Sequence, residues 1–185
     1  MDVSPWALAV AIPALPLAVC AGWLDWRARR IPNWLTVPAL LVGFGASTLA
    51  QGWPGAKEAL EGAGLGLGLL LPLVLLRGLG AGDWKLMGAL GAFLGPARLL
   101  VVLLGTVLIA GAMAVTEMVR RKRVKQTLLN VWTLILIACT FGLHSTRETI
   151  SLKNPSLIGL PFGTAAALST VLFFCLVLVL RFTRP

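Results

Sequence analysis

Residues 80–97 read GAGDWKLMGALGAFLGPA, and the length of the apolar part of this stretch decides how the chain sits. The run from Leu86 to Ala97 makes only about 18 Å of helix at 1.5 Å per residue. A bilayer core of about 30 Å needs roughly 20 residues. The run therefore crosses comfortably only if its helix starts near Asp83, which places a carboxylate at the membrane surface. The whole chain has seven carboxylate residues among 185, so that position asks for a reason.

Composition supports a membrane setting. Apolar residues make up 58% and charged residues 12%, against about 25% charged in an ordinary globular chain, and mean hydropathy is +0.89. Apolar runs at 5–24, 34–51, 59–77, 99–118 and 157–180 are each of membrane-crossing length. An all-α polytopic membrane protein follows, a single integral-membrane domain over residues 1–185. The net charge of +9 would suggest nucleic acid in a soluble domain. Here Lys and Arg lie in short loops beside apolar runs, the pattern of cytoplasmic loops, and nucleic acid is not an expected partner. The cysteines at 20, 139 and 175 lie far apart in apolar runs, with one His in the chain. That pattern encodes no metal site or disulfide framework, and buried, inert thiols are expected.

The arginines of DWRARR, 25–30, mark the inner side, so the first run crosses from outside to inside with kinks at Pro13 and Pro16. It lacks a basic leader and reads as a retained helix. The second helix, 34–51, returns outward to a loop GWPGAKE. The third, 59–77, carries Gly62, Gly64, Gly66 and Gly68, two interleaved small-xxx-small pairs that permit close helix approach. Simple abundance of Gly in membrane helices is the other reading. A fifth helix, 99–118, ends at RRKRVK, 120–125. Residues 127–144 are uncharged and long enough to span, yet Asn130, Thr133, Thr140 and His144 share one face, as in an interfacial helix. Lys and Arg counts do not separate the two.

By this parity Asp25 and Asp83 face each other on one side of the membrane, whichever way 127–144 lies. Besides Asp2 they are the only aspartates. Held a few ångströms apart, two carboxylates cannot both ionise readily, so one keeps a proton. The ionised partner can take a proton from water attacking a peptide carbonyl, and the protonated partner can donate to the oxygen or the leaving amine. Gly80 and Gly82 allow close backbone approach and an unusual turn at Asp83. Plainer readings stand beside this one. Asp25 in a loop would balance Arg27, Arg29 and Arg30, and Asp83 would cap the fourth helix. Lys85 either tunes Asp83 or snorkels, Glu117 snorkels, and His144 has no visible role.

GAGDWKL resembles the G-x-G-D-x-K-L signature of type IV prepilin peptidases, membrane aspartyl proteases of the GxGD class. DWRARRIPNWLT is similar to that family's first-aspartate segment, and LPFG at 160–163 to the motif opening its final helix. The resemblance implies that Asp25 and Asp83 are catalytic. Gly80, Gly82 and Lys85 match the signature around one of them, and Ile31, Pro32 and Asn33 match the segment after the other. Pro161, Phe162 and Gly163 match the late motif. It further implies cleavage of the basic leader from prepilins or pseudopilins at the cytoplasmic face of the bacterial inner membrane, without metal or other cofactor. The lipid bilayer and pilus or secretion machinery are the other partners. Because the late motif opens its helix on the cytoplasmic side, 127–144 should not cross, giving about six spanning helices plus one interfacial or re-entrant segment.

Two departures qualify the likeness. The four-cysteine region of larger members, which goes with N-methylation, has no counterpart here, so methyltransferase activity is not implied. The chain looks like the short, peptidase-only members of Flp or tight-adherence pilus systems. The late motif also lacks the Gly that often follows one turn later. The competing functions are a small transporter or channel that uses Asp25 and Asp83 for a cation or proton, and an inactive scaffold of a pilus machine. A transporter would place its carboxylates nearer the midplane, often within a repeated architecture.

Overall fold

A computed structural model describes residues 9–75, 79–120 and 162–183. Five helices make up the described chain: α1 (Ala14–Ala28), α2 (Asn33–Gln51), α3 (Trp53–Leu75), α4 (Ala81–Arg120) and α5 (Phe162–Thr183). All five are long and apolar enough to cross a membrane, α1 with the helical turn before it from Ala9. Pro161 and residues 127–144 lie outside the described residues. The chain divides into two units, residues 1–110 with 161–185, and residues 111–160. The described part of the second is the helical stretch 111–120.

The helix starting near Asp83 is present: α4 begins at Ala81. Its first arm is the centre of the first unit. Every residue from Leu86 to Gly95 is buried, as expected of a helix that is apolar all round and packed on all sides. At Gly95 the backbone leaves helical geometry (φ 73°, ψ 172°), ahead of Pro96. A straight helix would carry Leu99 about 18 Å along the axis from Met87. Instead, Leu99 Cδ2 lies 3.1 Å from the Cβ position of Gly66, whose other near neighbour is the Met87 carbonyl. The chain therefore folds back at Gly95. Glycine suits the positive φ, and Pro96 lacks the N–H that a continuous helix would need. With α4 in two arms, the described helical pieces agree with the expected count of about six.

α3 starts earlier than the sequence suggests. GWPGAKE is not a loop: Gly52 alone, at φ 64°, separates α2 from α3, and Pro54 is tolerated because the first helical turn has no N–H to lose. Of the interleaved glycines on α3, one pair does the packing. Cβ atoms at Gly62 and Gly66 would collide with the carbonyls of Gly91 and Met87 on the first arm of α4, whereas Gly64 and Gly68 have nothing within 4 Å. Gly62→Ala should accordingly destabilise the protein by roughly 1–3 kcal/mol. Gly64→Ala should leave it unchanged or slightly raise it through helix propensity. Thermal melts in detergent check this, and equal shifts for both would sink the assignment.

α5 packs along α1 and against the second arm of α4, where buried Ser169 Oγ donates to the Val102 carbonyl at 2.7 Å. Cys20 and Cys175 are exposed, not buried as expected, because the outward faces of α1 and α5 are as apolar as the inward ones. Cys139 lies outside the described residues.

Candidate active site

Asp83 is the third residue of α4, and Gly80 precedes the first. The Gly80 carbonyl accepts the Trp84 N–H at 3.1 Å, the first bond of the helix. The Gly80 N–H in turn donates to the Asp83 carboxylate. This is one half of a capping box, a carboxylate at the third position reaching back to the cap; Gly80 has no side chain to supply the other half. The capping role considered for Asp83 is thus real, but it uses only part of the side chain. Asp83 Oδ1 is buried with no hydrogen-bond partner among the described residues, a costly state for an acceptor. The Trp84 indole fixes the turn from the other side, donating to the Leu67 carbonyl of α3 at 2.6 Å.

Asp25 is not a loop residue. It lies within α1, 6% exposed. Three residues later the helix ends, and Arg29 adopts the left-handed cap conformation (φ 50°) with its N–H on the Asp25 carbonyl at 2.8 Å. A helix C-terminus is electrostatically poor ground for a carboxylate. Two features offset this. The Arg29 charge acts on Asp25, and the N-terminus of α5 points its free amides at the side chain. The Thr164 N–H donates to Asp25 Oδ2 at 3.2 Å, and Gly163 contributes a second backbone N–H. The same Gly163 N–H faces the Asp83 carboxylate, and the two aspartates lie within range of each other's charge. Orphan N–H groups and the positive end of a helix form a natural cradle for carboxylates.

The three sequence motifs converge on this point. Ile31 is the hinge between them. A Cβ on Gly82 would lie 2.9 Å from the Ile31 carbonyl oxygen, and one on Gly163 would lie 2.8 Å from Ile31 Cδ1 and 3.0 Å from Asp25 Oδ2. Pro32, in extended conformation (φ −74°, ψ 146°), caps α2. Asn33 Oδ1 accepts from Lys85 Nζ at 3.0 Å across an exposed gap. Lys85 therefore neither snorkels freely nor bonds to Asp83; it ties α2 to α4. Phe162 opens α5 and packs on the core. The glycines of the signature serve close approach rather than an unusual turn, since among the described glycines only Gly52 and Gly95 have positive φ.

Asn33→Ala should cost about 1 kcal/mol or less, because the bond it removes is exposed. Any activity of the site should fall by less than about tenfold. A loss as deep as that from replacing an aspartate would make this bond part of the chemistry.

Sequence reading passed over Gly22, Trp84 and Thr164. Gly22 lets α5 approach: its Cβ position is 2.5 Å from Ala167 Cβ and 3.4 Å from the Gly163 carbonyl oxygen, and its carbonyl accepts the Thr164 hydroxyl at 3.3 Å. A Gly one turn before the aspartate and a Thr just after the late Gly were the available signals. Trp84 carried one too, since a part-buried indole N–H wants an acceptor.

The chain matches the type IV leader peptidase family over residues 12–115, more than half its length and a span that includes both aspartates. No curated protein and no solved structure shows a significant match.

Proposed function

Because the chain belongs to the type IV leader peptidase family, we propose that it is an aspartic-type endopeptidase in which Asp25 and Asp83 together hydrolyse one peptide bond of a prepilin or pseudopilin. The bond lies between a short basic leader and the hydrophobic stem, at the cytoplasmic face of the bacterial inner membrane. The observation that carries this reading is the meeting of the three motifs around Ile31, where the Thr164 N–H holds Asp25 Oδ2 at 3.2 Å and Asp83 Oδ1 is buried with no hydrogen-bond partner among the described residues.

The chemistry needs one proton between the pair. The ionised carboxylate removes a proton from water as its oxygen bonds to the scissile carbonyl carbon, and the protonated carboxyl gives its proton to the carbonyl oxygen. The tetrahedral intermediate then collapses. The C–N bond breaks as the proton taken from water passes to the leaving amine, which becomes the new N-terminus of the stem, while a hydroxyl of the intermediate returns its proton to the carboxylate that had protonated the carbonyl oxygen. The pair is left with the one proton it began with. Such a pair titrates as a unit, and neither aspartate is assigned as the acid. The cradle of α5 amides stabilises the carboxylates without supplying or removing a proton. Gly80, Gly82, Ile31, Pro32, Asn33, Lys85, Phe162 and Gly163 position the pair; Pro161 is assigned to the same motif by resemblance alone.

The test is co-expression with a panel of prepilins, short Flp-type ones included, followed by gel shift and sequencing of the product N-terminus. Shortening at the junction of leader and stem is expected. A wild-type chain that is expressed in the membrane yet leaves every precursor intact would overturn the proposal.

A further inference from the structure

Beside the carboxylates, between α1 and α5, lies an open groove of about 380 Å³. Its floor is Gly22 and Ala167, its walls are Val19, Leu168 and Val171, and Thr164 closes one end. We propose that this groove receives the hydrophobic stem of the substrate, an apolar helix that enters sideways from the lipid; the inference rests on the peptidase reading above.

Continuity with the site is the first argument. Thr164 lines the groove and also donates its N–H to Asp25 Oδ2 at 3.2 Å. Gly22 lines it and accepts the Thr164 hydroxyl. A helix lying in the groove therefore ends against the cradle of Asp25. The second argument is direction. From Thr164 to Val171 the groove follows α5 for about 10 Å, roughly two helical turns, away from the carboxylates and into the apolar zone. A substrate cut where a basic leader meets an apolar stem must present its junction at the carboxylates, with its stem descending from that level. The third argument is shape. Gly22 and Ala167 bring α1 and α5 together at the floor, which leaves a hollow between their larger side chains, and the volume lies within the ordinary range for a binding site. Trp23 and Trp26, 65% and 66% exposed, stand at the mouth, where amphipathic rings suit the headgroup level. A lipid chain would also wet the groove, but nothing would hold it in register with Asp25.

The experiment traps the complex with Asp25→Asn, the three native cysteines replaced by alanine, and a precursor carrying one cysteine early in its stem. Single cysteines are placed at Val19 or Val171 in the groove, and at Leu60 or Leu104 on exposed faces elsewhere. Oxidation in membranes should crosslink the groove positions at about tenfold the yield of the others, a difference of about 1.4 kcal/mol in occupancy. In the otherwise wild-type enzyme, Val171→Trp should raise the cleavage ratio of a stemless junction peptide to full-length precursor by about tenfold. Even crosslinking at all positions, as with lipid in the groove, or an unchanged ratio overturns the proposal. Crosslinks confined to the groove, in a chain whose wild type cuts neither substrate, uphold the groove and sink the peptidase reading instead.

Discussion

Asp83→Asn and Asp25→Asn should each leave the precursor at full length, with processing slowed by roughly a thousandfold or more, the range of a lost general acid or base. Asparagine keeps the size of the side chain and an oxygen that can accept the Gly80 or Thr164 N–H. Both variants should therefore fold, and their melting temperatures should stay near that of the wild type. What asparagine removes is the ability to hold or release a proton. The double variant should be no slower than either single one, because groups acting as a unit do not lose activity additively. Asp83→Ala adds a second cost. It also removes the bond to the Gly80 N–H, and losing a helix cap costs about 1 kcal/mol, so this variant should melt earlier than Asp83→Asn. Processing by the wild type should fall on both the acid side, where both carboxyls are protonated, and the alkaline side, where neither is. The informative failure is Asp83→Asn that still cuts. Asp83 would then be a helix cap and nothing more. A transporter would show the loss in ion flux, with the precursor uncut throughout.

The parts of the site legible in sequence were the ones that need chemistry. Aspartates are rare in this chain, and their placement beside short apolar runs fixed their common level by counting crossings. The convergence of Ile31, Gly82 and Gly163 was legible only as three separate motifs. What sequence hid has one physical cause. In a soluble protein, hydropathy separates inside from outside, but in lipid the outer face is as apolar as the core. The buried face of α1 is Ala14, Leu17, Ala18, Ala21, Gly22 and Asp25, whereas Val19 and Trp23 face outward. Size, not hydropathy, distinguishes the two faces. The same blindness left open which α3 glycines pack, and it put Cys20 and Cys175 inside when they lie outside. The early start of α3 and the reversal at Gly95 were hidden differently. Both turn on a single glycine with positive φ, a signal that one letter among 20 glycines does not carry.

Gly163→Ala should damage the site heavily without replacing a titratable group. The added Cβ would lie 2.8 Å from Ile31 Cδ1, 3.0 Å from Asp25 Cβ and 3.0 Å from Asp25 Oδ2. The isoleucine methyl can swing away at small cost. Asp25 Cβ cannot, because it is fixed to the backbone of α1, and α1 is held against α5 by Gly22 and Ala167. Either the carboxylate turns or the helices part by a few tenths of an ångström. Both movements take Asp25 from the Thr164 N–H and shift the Gly163 N–H that faces the two aspartates. A misplacement on the ångström scale costs about a hundredfold in rate, so Gly163→Ala should lose roughly tenfold to a hundredfold in kcat. Gly163→Val, with more bulk at the same point, should lose nearly all. The contrast with Thr164→Val decides the cause. That variant keeps the backbone N–H on Asp25 and removes only the hydroxyl bond to the Gly22 carbonyl, worth about 1 kcal/mol, so its activity should stay within about tenfold of the wild type. If Gly163→Ala is processed as fast as the wild type, the α5 terminus does not position the carboxylates. If Thr164→Val is lost as completely as Gly163→Val, the hydroxyl and not the amide cradle holds the two helices in place.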